Sequence, residues 1–432
     1  MKKGVIIISA IVLVLAIAGV AWMNLRSDKM TKGSSTRKKV QMSKDAFLKS
    51  EGKALKNAKG EAVQLKGFNI GNYFVQEFWM STPKYTDHVT CQKELEEKLT
   101  ERFGKEKTEE LIDTFQNHFF TEKDFDNIKL MGMNSIRIPF WYGTFTDSEG
   151  KWKEDAFKRL DWFVEEAGKR EMYVILDMHG AYGSQNGSDH SGIDGREEKM
   201  KASEFFFGDN AEKNQELYYQ LWEKIAEHYK GNPVVAGYDL LNEPYCTYRY
   251  NTGMTDDEIH KLLWDVYDQA YDKIRKIDPN HVIIMEAIWD SWDLPNPKEY
   301  DWSNVMYEYH QYEYSNYENE NNTQITSMER KIHNVELSDY DVPNYMGEFN
   351  YFNNMEAWTE GLKLLNEHHF NWSIWSYKCM LENENWGIKR LSQGKLDLEK
   401  DSYEDILENW SGLEEANDNK NLIEAIKKAD SE

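Results

Sequence analysis

Cysteine is scarce: Cys91, Cys246 and Cys379 are the only three in 432 residues. They form no CxxC pair and no even-numbered framework, which argues against a disulfide scaffold and against a zinc site. Three packed or semi-exposed thiols are the simpler reading. A Gly-rich phosphate fingerprint is also missing after the first strand-like run, which weakens a nucleotide-binding reading. Positive charge is lacking over most of the chain. The formal charge is −24, and residues 1–44 hold nine Lys and Arg against one Asp, a net +8, so the remainder carries −32. Such an acidic body repels a phosphate backbone, which disfavours nucleic acid as a partner.

What is present points elsewhere. Aromatic residues make up 14% of the chain, with 15 Trp, and aromatics mixed with carboxylates suit a neutral, hydroxyl-rich ligand. The N-terminus stands apart from the rest. Lys2 and Lys3 precede an uncharged run, Gly4 to Leu25, which as a helix would reach about 33 Å, enough for a bilayer core. Residues 1–25 are expected to be a signal peptide or an uncleaved signal anchor, and Ala16-Ile17-Ala18 offers a small-residue cleavage site. Residues 26–44 form a basic polar linker whose charge argues mildly against crossing the membrane. The expected location is outside the cell, secreted or held on the outer membrane face. The remaining segment, 45–432, is expected to be one monomeric domain.

That segment alternates between apolar, β-rich runs and longer charged stretches of helical periodicity. The runs are Val63–Gly71, Asn134–Phe140, Tyr173–Gly180, Val234–Pro244, Val282–Trp289, Val305–Tyr312, Val342–Asn350 and Asn371–Lys378. Between them, stretches such as "ELYYQLWEKIAEHYK" and "DDEIHKLLWDVYDQAYDKIRKI" place apolar residues at steps of three and four. Eight alternating units predict an α/β fold, a closed (β/α)8 TIM barrel. The acidic stretch Asn316–Gln324 reads as a solvated loop.

In such barrels the chemistry sits at the C-terminal ends of the strands. The polar residues closing the runs are Asn69, Arg137, His179, Asn242, Glu243, His310, Tyr312, Glu348 and Trp375. They are expected to converge at one mouth. Two carboxylates across a barrel mouth suit glycosidic bond cleavage: one protonates the departing oxygen, and the other attacks the anomeric carbon or activates water. Asp177, Glu286, Glu308 and Glu313 compete for these roles, but position favours Glu243 and Glu348. Glu286, three residues before its run ends, is expected to face the barrel layers or the helices.

These residues resemble those of glycoside hydrolase family 5, and within it the exo-β-1,3-glucanase group. The likeness runs from about Phe68 to Trp386. "LLNEP" around Glu243 resembles the acid/base motif and "GEF" around Glu348 the nucleophile motif. The loop "DMHGAYGSQNGSDHSG" is similar to the long loop after strand 3 of that group, and "GFNIGNYFVQEFW" to its N-terminal segment. The resemblance implies Glu243 and Glu348 as catalytic residues. It implies sugar-binding roles for Glu77, Arg137, His179, Asp189, Asn242, His310, Tyr312 and Trp375, and no metal or organic cofactor. It also implies retention of configuration, with a β-glucan or β-glucoside as substrate. Glu348 would attack, held by Arg137 and Tyr312, while Trp375 would lie under the sugar in the −1 subsite.

One departure from the group is Ser188, where an aromatic residue commonly follows "SQNG". Tyr182, Tyr314 or Trp386 could supply a stacking face in its place. The expected activity is that of an exo-acting β-glucanase or β-glucosidase. An endo-β-1,4-glucanase or another β-glucoside hydrolase on the same fold is the alternative, and a non-catalytic carbohydrate-binding surface protein is a third.

Overall fold

The eight apolar runs fold as eight parallel strands that close on themselves. A computed structural model describes residues 42–194, 203–244, 253–314, 321–380 and 385–431. Its barrel strands are β1 (Lys66–Asn69), β2 (Ser135–Trp141), β3 (Tyr173–Gly180), β4 (Val235–Asp239), β5 (Val282–Glu286), β6 (Val305–Tyr312), β7 (Asn344–Asn350) and β8 (Asn371–Ile374). Each strand pairs with its neighbours in the sequence, and β8 returns to β1 with Trp372 beside Lys66 and Ile374 beside Phe68. Every residue of β2 and β3 is buried, because the lumen fills one face of each strand and helices cover the other. Gly67 is required where β1 meets β2. A Cβ there would sit 2.0 Å from the Ser135 carbonyl oxygen.

The helices turn one apolar stripe inward. The helix Ala211–Tyr229 buries Tyr218, Leu221, Trp222, Ile225 and Tyr229. The helix Asp256–Ile277 starts at a capping box between Thr255 and Glu258 and buries Leu263, Val266, Tyr267, Ala270 and Ile274. A three-stranded antiparallel sheet of Lys49–Glu51, Ala54–Lys56 and Ala62–Val63 precedes the barrel. A second small sheet and the helix Lys420–Ser431, packed on the helix Met355–Glu367, follow it.

Three details differ from the sequence reading. The strand β4 stops at Asp239, so Leu240–Pro244 is loop, and β1 is only four residues long, Val63 being paired with Leu55 in the first small sheet. Of the acidic stretch expected to be loop, residues 316–320 lie outside the described residues, and 321–324 begin a helix, Asn321–Leu337, because Met328, Ile332 and Val335 behind them are buried as one stripe. Cys91 and Cys379 are buried, while Cys246 lies outside the described residues. The apolar run Gly4–Leu25 and the basic linker as far as residue 41 also lie outside them. Among the described residues no helix is long and apolar enough to cross a membrane.

Candidate active site

The loop that carries Glu243 is held in a conformation that its sequence does not favour. Glu243 has φ +42°, in the left-handed region, which costs a residue with a Cβ roughly 1–2 kcal/mol. Both of its peptide groups are tied down. Its N–H donates to Glu286 Oε2 at 2.8 Å, and its carbonyl accepts from Asn186 Nδ2 at 3.1 Å. Glu286, buried inside the barrel beside His310, therefore supports the loop that carries Glu243. The carboxyl of Glu243 meets His310, whose Nδ1 is 3.0 Å from Oε1.

Glu348 lies on β7 and is held at both oxygens. Arg137 Nη1 donates to Oε1 at 2.9 Å, and the Tyr312 hydroxyl donates to Oε2 at 2.9 Å. The Glu243 and Glu348 carboxyls and His310 each offer an atom within 4.8 Å of the others. Nearest oxygens that close fit a retaining pair, whose carboxyls stand roughly 5–5.5 Å apart, better than an inverting pair at about 6.5–9.5 Å. The side chain of Glu243 is 15% exposed and that of Glu348 6%, so the former is the more open to incoming water.

Arg137 is fully buried and organises the floor of the site. It donates to Asp239 Oδ2 (2.8 Å), Asn69 Oδ1 (3.1 Å) and Asn242 Oδ1 (2.9 Å), and lies 3.2 Å from Asp177 and 3.3 Å from Glu308. Burial opposes its charge, but Asp177, Glu308, Asp239 and Glu348 outweigh burial and hold the guanidinium firmly protonated. One cation cannot neutralise four carboxyls. Burial accordingly pushes Asp177, Glu286 and Glu308 well above the ordinary carboxylate range. Glu348 thus sits above a floor in which burial favours the neutral form of three acids.

The remaining predicted residues gather around this pair. His179 bonds Asp177 through Nδ1 at 2.7 Å and lies parallel to Trp375, with ring centroids 5.5 Å apart and planes 7° apart. Burial, then His190 and Arg137, push its imidazole well below the usual range, so it is neutral. Gly71 leaves space beside Trp375, whose ring would lie 2.9 Å from a Cβ at that position. Burial and then the Glu348 charge push the Tyr312 hydroxyl upward, so it remains a donor.

Glu77 is 7% exposed and accepts from the Trp79 indole at 2.7 Å. Burial and then the charge of Asp189 push its carboxyl well above the usual range, and Glu348 and Glu243 add to this. Asp189 bonds the Tyr85 hydroxyl. Trp79, Trp386, Tyr312 and Tyr314 make one aromatic wall, with Trp79 edge-on to Trp386 at 4.8 Å and Tyr312 stacked on Tyr314 at 5.7 Å. Tyr182 does not join it. It is buried against Tyr142 with centroids 4.3 Å apart.

Sequence reasoning missed Asp239 and His190. The first had a signal, a lone acid inside the apolar run "VVAGYDLL". The second had none, since its partner Glu243 is distant in the chain. By distance alone, Glu243, His310 and Glu348, or Glu286, Glu308 and His310, could hold a cation. In the first set, though, the oxygens of Glu348 are already taken by Arg137 and Tyr312, an arrangement suited to nucleophilic and proton-transfer chemistry.

Two carboxyls at this spacing, on a (β/α)8 barrel, prompt a comparison with known proteins. The cellulase (glycosyl hydrolase family 5) family model matches residues 100–380. The chain belongs to glycosyl hydrolase family 5. It is 30% identical over 362 residues to a β-xylosidase of Phanerodontia chrysosporium, covering 77% of this chain and 71% of that one. It is 29% identical to glucan 1,3-beta-glucosidase 2 of Wickerhamomyces anomalus, covering 58% of this chain and 56% of that one. The aligned stretch thus spans little more than half of that yeast relative. Among solved structures, rutinosidase from Aspergillus niger superposes with a TM-score of 0.60 at 16% identity, over 81% of this chain and 98% of that one. That likeness is one of fold. As a family 5 member the protein is a glycosidase, and the paired carboxyls at its barrel mouth are where that activity is sought.

Proposed function

We propose that this protein is a retaining β-glycosidase that releases single glucosyl units from the non-reducing ends of β-glucans or β-glucosides. One observation carries the reading: Glu243, on the loop after β4, and Glu348, on β7, bring carboxyl oxygens within 4.8 Å at one barrel mouth. Glu348, ionised and aimed by Arg137 and Tyr312, attacks the anomeric carbon while Glu243 gives its proton to the departing oxygen. Water then opens the glycosyl-enzyme ester as Glu243, now a carboxylate, takes the water's proton. Asn242, oriented by Arg137, bonds the sugar 2-hydroxyl, and Trp375 offers a flat face to the pyranose. None of these steps needs a metal or an organic cofactor.

Exo action rests on Glu77 and Asp189. Glu77 is fixed by Trp79, lies in the field of Asp189, Glu243 and Glu348, and forms a polar end wall that bonds the hydroxyls of a terminal sugar. A chain continuing through that wall would strip water from polar groups it cannot satisfy. A second reading, favoured by the longer alignment to a β-xylosidase, puts xylose in the −1 subsite. The substrate is met outside the cell, with residues 1–25 acting as a leader or an anchor and the body acting as a monomer.

Product analysis tests these readings together. Laminarin, cello-oligomers, aryl β-glucosides and aryl β-xylosides are supplied in parallel. Glucose as the first product from an oligomer, with slow loss of polymer viscosity, is expected. A higher kcat/KM on the xyloside selects the second reading. Rapid viscosity loss with oligosaccharides preceding glucose refutes exo action and favours an endo-β-1,4-glucanase-like cleft.

A further inference from the structure

Two further indoles stand on the loop after β5 and face solvent. Trp289 is 43% exposed and Trp292 56%. A single exposed apolar residue is ordinary, whereas two indoles on one short turn make a patch of the kind that marks a binding face. Among the described residues, the other exposed large aromatics each stack on a neighbouring ring, Trp152 on Phe157 and Tyr314 on Tyr312.

The turn that carries Trp289 and Trp292 is fixed from below. The Asp293 carboxylate accepts the N–H of Trp289 at 2.6 Å and that of Asp290 at 2.7 Å, and His260, on the helix Asp256–Ile277, stands 3.0 Å from its other oxygen. From the helix Asn321–Leu337, buried Lys331 donates to the Trp289 carbonyl at 2.6 Å and sets its ammonium 4.8 Å from the centre of the Trp289 ring. The Ser291 hydroxyl donates to the Asn334 carbonyl at 3.0 Å. A turn held by two helices keeps its indoles in place before any ligand arrives, so little ordering is lost on binding.

The order of the strands says which part of a substrate meets them. β5 is the neighbour of β4, whose loop carries Glu243, and among eight strands it stands opposite β1, whose loop carries Glu77. Trp289 is three residues past Glu286, so its Cα lies within about 11 Å of the Cα of the residue that holds the Glu243 N–H. Glu77 closes the non-reducing end in the reading above, and Glu243 gives its proton to the departing oxygen, so the departing sugars lie toward β4 and β5. We propose that Trp289 and Trp292 form a stacking platform on the leaving-group side, binding the second and third sugars of a β-linked chain. This rests on the roles proposed for Glu77 and Glu243. The flat indole faces pack on the apolar C–H faces of the pyranose rings while the sugar hydroxyls stay in water.

The test compares kcat/KM on a β-linked tetrasaccharide with kcat/KM on the matching β-glycosyl fluoride, whose leaving group is one atom, for the wild type, Trp289→Ala, Trp292→Ala and Trp289→Phe. The ratio cancels any change in the −1 subsite or in the amount of folded enzyme. Losing one well-packed aromatic contact costs roughly 5- to 30-fold. The ratio should fall by that factor in each Ala variant, and Trp289→Phe, which keeps a flat ring, should recover most of it. Trp292, the more exposed, carries the test if Trp289→Ala does not fold. An unchanged ratio in the Ala variants overturns the platform. So does an equal fall in Trp289→Phe, and so does a fall on aryl β-glycosides alone, which would assign the indoles to an aromatic aglycone. The first product from the tetrasaccharide separates the two claims. If it is a monosaccharide and the ratio is unchanged, the platform alone fails. If it is an oligosaccharide, the exo reading fails, and the side assigned to Trp289 and Trp292 fails with it.

Discussion

Replacing Tyr312 with Phe removes one oxygen and leaves the ring in the aromatic wall. That oxygen donates to Glu348 Oε2 at 2.9 Å, and Arg137 supplies the donor to Oε1. Tyr312→Phe thus halves the pair of donors, Tyr312 and Arg137, on the Glu348 carboxylate without touching its charge. Hydrogen bonds to charged groups contribute about 1.5–3 kcal/mol, and 1.4 kcal/mol corresponds to tenfold, so kcat/KM is expected to fall roughly 10- to 150-fold. The fall should lie mainly in kcat, because the hydroxyl holds the enzyme's own carboxylate rather than the sugar. Steady-state kinetics on an aryl β-glycoside, with the thermal midpoint as a control for folding, measures both. A loss below threefold, or a loss confined to KM, would refute the idea that Tyr312 positions the attacking oxygen.

Three further outcomes are expected. In Glu243→Ala, an activated aryl glycoside should still load the enzyme while release slows, so a covalent intermediate should be visible by intact mass; its absence with both steps equally slowed would contradict the acid/base role. Glu77→Ala should cut kcat/KM by roughly ten- to a hundredfold per hydrogen bond lost to the terminal sugar, and should raise the share of oligosaccharide products; an unchanged product pattern would show that Glu77 does not close the pocket. Stability should fall as pH rises from the ordinary carboxylate range near about 4, because burial holds protons on Asp177, Glu286 and Glu308 that the unfolded chain releases. Each retained proton contributes a slope of about 1.4 kcal/mol per pH unit. Glu308→Gln, which cannot release a proton, should flatten the dependence of the thermal midpoint on pH; an unchanged slope would mean that Glu308 is ionised in the fold.

The barrel was legible because its strands are buried on both faces, so each reads as an unbroken apolar run, and because polar residues mark where each run ends. The helices between them were legible from three- and four-residue steps alone. Boundaries were less so. "VVAGYDLLNEP" remains apolar through Leu241, yet the strand ends at Asp239, since Glu243 takes a left-handed turn fixed by Glu286 and Asn186. Both partners are remote in sequence, and no local pattern announces them. Position in the run placed Glu286 away from the site for the same reason: its value lies in a backbone N–H that strand periodicity does not reveal. Tyr312 was easier, because it also closes a strand and a barrel brings strand ends together, whereas Arg137 lies inside β2 and reaches Glu348 from the floor of the site. The His190 contact depends on how one long loop folds back, and residue type alone could not assign it.

The claim that matters most is double displacement at Glu348, and the configuration of the first-formed sugar tests it directly. Proton NMR during the first turnovers of an aryl β-glycoside, before mutarotation, distinguishes the anomers. A carboxyl pair within 4.8 Å predicts the β-anomer first, with the α-anomer growing in later. Appearance of the α-anomer first would mean a single displacement by water and would contradict the account.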